Sequence, residues 1–320
     1  MRVALIGYGN VGKSFARLLV RKKSVYPFRI IGIHTAHHGT AYESRGVALE
    51  PEFGSCASSV DEFLDRARPD VVVEVTTLNP ETGEPAVSHI RAAISRHMHV
   101  ITANKGPIAN AYAELCAESK LAQIEFRFES TVMDGTPLFN NVRNNLPGVN
   151  ILGFTGVLNS TSKVVLAAMA RGLAVTDGIR EAQALGIAEA DVSYDLDGWD
   201  SAAKAAALAN VLMDARVTPR HVERRGIGDL TTDEVVELAR TGQTAMQVTR
   251  GERTEAGVRL RVRPEIVHEK DLLASATGSS NMILLHTDLM GTIGTISINP
   301  GIDQTAYGLF SDLVDIARSI

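Results

Sequence analysis

The sequence predicts an α/β protein whose N-terminal part is a doubly wound, parallel sheet, and three observations predict it. The chain opens on an apolar strand, MRVALI at Met1 to Ile6, which runs into Gly7-Tyr8-Gly9-Asn10-Val11-Gly12 and then into a helical pattern, KSFARLLVRKK. Apolar runs then alternate with helical stretches as far as Thr102. After Ile124 the composition changes, and 320 residues with 45% hydrophobic side chains suffice for two domains or for one α/β domain with a large insertion.

Taken in order, the first strand and the glycines after it carry the first chemical signal. A G-x-G-x-x-G between a strand and a helix permits a tight turn at Gly7, close approach of backbone to a pyrophosphate at Gly9, and close helix–strand packing at Gly12. Asn10 and Val11 then lie at the helix N-terminus that receives the diphosphate. This is the pattern of a Rossmann-type nucleotide-binding domain; the alternative is a glycine turn that binds nothing. The second strand, Phe28 to His34, ends near the expected adenosine ribose, where an NAD-selective protein places an Asp or Glu. No acid occurs between Val25 and Tyr42; His34, Thr35, His37 and His38 stand there instead, with Arg45 further on. That set tolerates a 2′-phosphate, so NADP is expected, with NAD as the alternative cofactor and solvated loop histidines as the plainer reading.

Val60 to Ala67 reads as a helix, Asp70 to Thr76 as a buried parallel strand, Pro85 to Arg96 as a helix and His99 to Thr102 as another strand. Ligands of open α/β sheets bind outside the carboxyl ends of the strands. Thr76 and Lys105, the latter in Thr102-Ala103-Asn104-Lys105-Gly106-Pro107, are therefore expected at the cofactor, with Lys105 pointing to where nicotinamide and substrate meet. Lys105 as a mere loop cap is the competing reading.

Beyond Ile124, IEFRFESTVM is strand-like and Asp134-Gly135-Thr136-Pro137 is a turn before a helix. A strand from Asn150 to Leu158 leads to a turn, Asn159-Ser160-Thr161, that caps a helix from Lys163 to Arg171; another helix runs from Thr176 to Leu185. The stretch Ile187 to Asn210 then sets Glu189, Asp191, Asp195, Asp197 and Asp200 ahead of Lys204 in a background of Ala, Leu and Gly. After Gly198 an alanine-rich helix puts Asp200 and Lys204 at i and i+4 on one face, where the carboxylate fixes the lysine and keeps it charged. An ordinary helical ion pair is the plain alternative, but the small apolar neighbours suit a buried helix, and a buried lysine among acids is a candidate for proton transfer. A capped helix from Thr232 to Thr241, strands at Gly257 to Val262, Met282 to His286 and Gly291 to Ile298, the turn Asn299-Pro300-Gly301 and a helix from Thr305 to Arg318 complete the chain.

A formal charge of −5 offers no polyanion-binding surface, so nucleic acid is not an expected partner. Cys56 and Cys116 are the only cysteines and lack metal-ligand spacing, and no apolar run of membrane-spanning length or leader pattern occurs. A cytoplasmic protein, off the membrane and acting on a small-molecule substrate, is expected.

Several ordered motifs together resemble homoserine dehydrogenase in its short form, without a C-terminal regulatory domain. They are GYGNVG at Gly7 to Gly12, VVVEVT at Val71 to Thr76, TANKGP at Thr102 to Pro107, FESTVMDGTPLF at Phe128 to Phe139, GVLNST at Gly156 to Thr161, AEAD at Ala188 to Asp191, and DGWDSAAKAAALA. The resemblance implies a homodimer that interconverts L-homoserine and L-aspartate 4-semialdehyde with NAD(P), a step toward threonine and methionine. It also implies a dinucleotide-binding domain over 1–130, an inserted α+β catalytic and dimerisation domain over 131–298, and a C-terminal helix over 299–320 that returns to the nucleotide. Lys204 falls on the family's catalytic lysine and Lys105 on its second active-site lysine. Glu189 falls on the glutamate that holds the substrate's amino group, Asp195 and Asp200 on the acids of the same pocket, and Thr161 on the substrate-side turn. Main-chain carbonyls of Glu129, Val132, Asp134 and Thr136 match those that hold a sodium-like monovalent cation, and Gly301, with Thr305 and Ala306, matches the turn and helix at the nucleotide.

Two departures from the family pattern stand out. The usual N-G-T-x-N reads Asn159-Ser160-Thr161-Ser162-Lys163, and the usual glycine-rich turn near the C-terminus is reduced to Pro300-Gly301-Ile302-Asp303, with Gln304 where proline is favoured. If Lys163 borders the substrate, a more anionic hydroxy acid or another small aldehyde is favoured over homoserine. If it lies on the outer face of its helix, it touches only water. A dinucleotide-binding regulator without catalysis is a third reading, which the retention of Lys105, Lys204 and Glu189 opposes.

Overall fold

The computed structural model describes residues 1–188 and 191–320. The chain divides into two compact units, Met1–Asn141 with Gly301–Ile320, and Val142–Pro300. In the first unit the elements are β1 (Arg2–Ile6), α1 (Asn10–Lys22), β2 (Arg29–Thr35), β3 (Gly39–Tyr42), α2 (Val60–Ala67), β4 (Val71–Glu74), α3 (Ala86–Ile94), β5 (His99–Thr102), α4 (Lys105–Leu121) and β6 (Phe126–Arg127). They build a sheet of order β3-β2-β1-β4-β5-β6, parallel throughout except for the antiparallel edge strand β3. Ile6 pairs with His34 and with Glu74, and Glu74 with Thr102, so the carboxyl ends of four strands finish in register. The strand order reverses between β1 and β4, and the loops after both begin at that switch point.

α5 (Phe139–Asn145) spans the division. The second unit continues with β7 (Ile151–Val157), α6 (Ser160–Ala170), α7 (Val175–Ala184), α8 (Ser193–Leu196), α9 (Trp199–Met213), β8 (Glu223–Arg224), α10 (Thr232–Arg240), β9 (Gln243–Thr254), β10 (Gly257–His268), β11 (Asn281–Thr287) and β12 (Thr292–Ser297). Its sheet has the order β12-β11-β7-β9-β10-β8 and is antiparallel apart from the short β8–β10 pairing. The β9–β10 hairpin pairs continuously from Thr254 and Gly257 to Gln243 and His268. α9 lies buried as its composition predicts: Ala202, Ala203, Ala205, Ala206, Ala207 and Ala209 are all fully buried, and small side chains let this helix approach the sheet closely.

α11 (Ile302–Ser319) closes the chain in the first unit, where Leu309, Phe310, Leu313 and Ile316 share one core with Phe15 and Leu19 of α1 and with Phe28. Among the described residues no helix is long and apolar enough to cross a membrane.

Two local differences from the sequence reading have physical causes. IEFRFESTVM supplies only the two-residue β6, because Glu129 to Thr131 turn into a single helical turn that brings the Glu129 carboxylate back onto later backbone. Lys105 does not sit in a loop: it is the first residue of the 17-residue α4, whose N-terminus Asn104 caps through Gly106 N at 3.0 Å.

Candidate active site

The first unit carries the nucleotide-binding features. Gly7 has φ +98°, and a Cβ there would lie 2.6 Å from Val75 O, so only glycine turns the chain at this point. Gly12 faces Gly7 O at 3.2 Å from its own would-be Cβ, whereas around Gly9 nothing lies within 4 Å. α1 begins at Asn10 with Gly9 as its cap residue and no side chain capping its first amides, which leaves a helix N-terminus suited to phosphate oxygens. A cavity of about 370 Å³ opens there, lined by Asn10, Lys13, Arg17, Gly301, Ile302 and Asp303. Ser14 of α1 donates to Asp303, and Gln304 accepts from Gly301 N at 2.6 Å, so the glutamine that stands in place of proline caps α11. Asn10 and Gly301 thus line the same cavity. Lys13 and Arg17, one helical turn apart, add positive charge to this cavity and were not singled out from the sequence.

At the ends of β4 and β5, Glu74 is fully buried. Its carboxylate accepts from Thr76 N at 3.1 Å, from the Thr76 hydroxyl, and from Thr102 Oγ1 at 3.1 Å. Asn104 Nδ2 donates to Thr76 O at 3.3 Å, tying the loops after β4 and β5 to each other. Thr76 and Lys105 therefore stand on one rim of this sheet. The histidines after β2 separate into two kinds. His34 stacks on Phe63 with ring centroids 5.4 Å apart, and its Nδ1 lies 2.9 Å from Thr40 Oγ1. Burial first, and the neighbouring His89 second, hold its pKa below the ordinary histidine range, which disfavours the charged form. His37, His38 and Arg45 are exposed.

The loop with the four implied cation ligands is held by buried carboxylates. Glu129 accepts from Leu138 N, Phe139 N and Asn140 N at 2.7, 2.9 and 2.6 Å and so caps α5, while its own amide donates to Asp312 Oδ2 at 2.9 Å. Val132 is buried, Asp134 has a left-handed φ of 55° and accepts from Thr305 Oγ1 at 3.4 Å, and Thr136 O accepts from Leu138 N at 2.8 Å. With Glu129's charge spent on amides, the loop offers neutral carbonyl oxygens. That donor set fits a hard cation of low charge. Among the described residues no group of three or more His, Cys, Asp or Glu side chains forms a metal cluster.

In the second unit the acids and the lysine converge. Lys204 Nζ donates to Leu158 O at 2.6 Å and lies 3.1 Å from Asp200 Oδ2, with both side chains about 15% exposed. Asn159 joins the acids: its Nδ2 donates to Asp195 Oδ1 at 2.6 Å and to Asp200 Oδ2 at 3.1 Å, while its Oδ1 caps α6 by accepting from Ser162 N at 2.8 Å. Thr161 also hydrogen-bonds Asp195, whose pKa is pushed up by burial first and by the Asp200 charge second, against the hydrogen bonds and Lys204. Gln247 of β9 accepts from Ser201 Oγ at 2.8 Å and donates to Asp195 O at 3.4 Å. Gly198, φ +81°, turns the chain between α8 and α9, and Arg224 secures that turn by donating to Asp197 O and lying 4.1 Å over the Trp199 ring. Thr161, Asp195, Asp200 and Lys204 are one cluster. Glu189 lies outside the described residues.

Sequence reasoning missed Asn159 as a site residue, although its position as helix cap after an apolar strand was legible. It also misplaced Lys163. The lysine is 6% exposed, donates to Ser280 O and lies 3.3 Å from Asn281 Oδ1. It does not lie on a solvated outer face, because α6 is buried around its first turn.

A glycine turn and an uncapped helix N-terminus at a parallel sheet's switch point, with a lysine held among acids, define an NAD(P)-dependent oxidoreductase. A family model described as homoserine dehydrogenase matches residues 137–314, and one described as homoserine dehydrogenase, NAD binding domain, matches residues 7–129. The chain belongs to the homoserine dehydrogenase family. It is 34% identical to a homoserine dehydrogenase of Methanocaldococcus jannaschii, with 100% of this chain and 99% of the relative covered. It is 31% identical to an NAD(+)-dependent homoserine dehydrogenase of Pseudomonas canavaninivorans, covering 99% and 96%. A hyperthermophilic archaeal homoserine dehydrogenase solved in complex with NADPH has the same fold, with TM-score 0.84 and 26% identity over 100% of this chain and 98% of that one. The activity is the interconversion of L-homoserine and L-aspartate 4-semialdehyde with NAD(P), on the route to threonine and methionine.

Proposed function

We propose that Lys204 moves the proton in this reaction. The observation that carries the proposal is its ammonium, anchored on Leu158 O at 2.6 Å and Asp200 Oδ2 at 3.1 Å. Bound nicotinamide supplies a hydride to the aldehyde carbon, or takes one from the alcohol. In reduction, Lys204 stabilises the oxygen as it gains negative charge and donates a proton to it; in oxidation, neutral Lys204 takes the hydroxyl proton. Asp200 holds the lysine in place, and Lys105 acts as a second cation that orients the reacting oxygen. Glu189 receives the substrate's ammonium group, and Asp195 and Thr161 bound the substrate.

Gly7, Gly9, Asn10, Val11, Gly12, Thr76, Lys105 and Gly301 hold the cofactor in this reading. NADP is the preferred form, on the strength of exposed His37, His38 and Arg45 and of the NADPH bound by the archaeal structure; the Pseudomonas relative is named for NAD(+). The carbonyls of Glu129, Val132, Asp134 and Thr136 hold a sodium-like cation that braces their loop and takes no part in proton or hydride movement. Residues 131–298 form the catalytic and dimerisation domain of a homodimer, and 299–320 return to the nucleotide. The unpaired thiols of Cys56 and Cys116 support a cytoplasmic location.

The test is oxidation of NADPH and of NADH with aspartate 4-semialdehyde, for the parent and for Lys204→Ala. Turnover of the variant falls by about a hundred- to ten-thousandfold while cofactor affinity stays within a few-fold. NADPH serves at least as well as NADH. Near-parental turnover removes Lys204 from the proton step, and a strong NADH preference removes the phosphate reading.

A further inference from the structure

The two residues by which the Asn159-to-Lys163 turn departs from the family pattern grip one segment. Ser160 Oγ donates to Ser279 O at 3.0 Å, and Lys163 Nζ donates to Ser280 O and lies 3.3 Å from Asn281 Oδ1, at the start of β11. Ser280 and Asn281 are themselves buried, and Ser280 Oγ accepts from Asn299 N at 3.1 Å, which fixes the far end of the same segment. A buried lysine is costly unless its hydrogen bonds are met, so this one has its charge set against peptide oxygens by the fold around it.

We infer that Lys163 and Ser160 are positioning residues for the homoserine dehydrogenase reaction: by clamping residues 279–281 onto the first turn of α6, they hold the Asn159 carboxamide between Asp195 and Asp200. The first turn of α6 is thereby held at both ends. One end is the carboxamide itself, which caps Ser162 N and donates to both acids. The other is the Ser160 and Lys163 grip on the backbone before β11. Loss of the grip lets the turn shift, and Asn159 can follow only by lengthening its bonds to the acids that hold Lys204. Asp195 faces Asp200 and Lys204 of α9, Thr161 of α6 and Asn159, with Gln247 of β9 on its main chain, so a weakened Asn159 bond leaves burial and Asp200 opposed by fewer partners. The assignment rests on the reading of Lys204 as the proton-moving group.

The experiment compares pH profiles of kcat and kcat/KM for parent, Lys163→Met, Lys163→Arg and Ser160→Ala, with thermal unfolding of each. Lys163→Met keeps the length of the side chain and removes its donors. It is expected to lose about ten- to a hundredfold in kcat, with a smaller change in KM, and to move the acidic limb to higher pH. Ser160→Ala shifts the same limb by less, and Lys163→Arg restores it in part. The double variant falls short of the sum of the singles, because both side chains hold one segment. Parental kcat and an unmoved acidic limb in Lys163→Met and Ser160→Ala overturn the inference, whatever the melting temperatures; if Lys163→Met does not fold, Ser160→Ala alone decides by the same limb. Lys204→Ala measured beside them keeps the two questions apart: retained turnover there removes the proton-donor reading, while the limb in the other variants still reports on Asn159.

Discussion

Asn159 Nδ2 stands 2.6 Å from Asp195 Oδ1, and the same nitrogen reaches Asp200 Oδ2 at 3.1 Å. A neutral amide here donates to two carboxylates at one point. Lys204 lies 3.1 Å from Asp200, and in Asp195 burial and the Asp200 charge outweigh the hydrogen bonds of Asn159 and Thr161 and the charge of Lys204.

The shift of Asp195 carries a sign in stability. The raised pKa of Asp195 means that its folded form binds a proton more tightly than its unfolded form. The stabilisation this gives is complete below about pH 4, the ordinary carboxylate range, and is lost as pH rises through the folded value. Asp195→Asn removes the titration and keeps an oxygen for Asn159 to donate to. The melting temperature of the variant minus that of the parent is therefore expected to be more positive at pH 8 than at pH 4. A difference that is flat or falls with pH shows that Asp195 is not held above its ordinary range.

Glu129 tests the loop proposed for the cation. Its carboxylate accepts three buried amides, from Leu138, Phe139 and Asn140. Glu129→Ala leaves all three without that acceptor, at about 1–3 kcal/mol each, and should cost at least about 3 kcal/mol in denaturant unfolding. Glu129→Gln keeps one oxygen and should cost less. A loss under about 1 kcal/mol for the alanine variant would mean that the loop finds other acceptors, and that Glu129 does not fix its shape.

The sheet of the first unit was legible because parallel strands buried on both faces read as continuous apolar runs, as at Val71 to Glu74, and because a glycine motif marks where the first one ends. Asp200 and Lys204 were legible from helical spacing in an alanine background. What the sequence hid was set by long-range partners. Gln243 to Thr254 mixes Ala245, Met246 and Val248 with polar and charged residues and becomes a strand through its pairing with β10. Lys163 reads as a surface cation until the carbonyl of Ser280, far along the chain, is brought to it. Asn159 was visible as a cap, but its second pair of bonds depends on where α8 and α9 deliver their acids.

Gly7 and Gly9 should separate folding from cofactor binding. Gly7 has φ +98°, and a Cβ would stand 2.6 Å from the backbone oxygen of Val75, so Gly7→Ala must both strain the turn and push β4's loop away. A cost of about 1–3 kcal/mol is expected, seen as a melting point lower by several degrees with or without nucleotide. Gly9 has φ −77°, which any residue adopts, and its would-be Cβ meets no atom within 4 Å. Gly9→Ala should therefore melt within about a degree of the parent in the absence of nucleotide. If the open space at Gly9 is where the backbone meets the diphosphate, the added methyl weakens NADPH and NADH alike by about tenfold or more, or at least about 1.4 kcal/mol. Fluorescence titration of the reduced cofactor into each variant reads this directly. Unchanged affinity in Gly9→Ala would place the diphosphate elsewhere, and a Gly7→Ala protein as stable as the parent would contradict the close packing at the first turn.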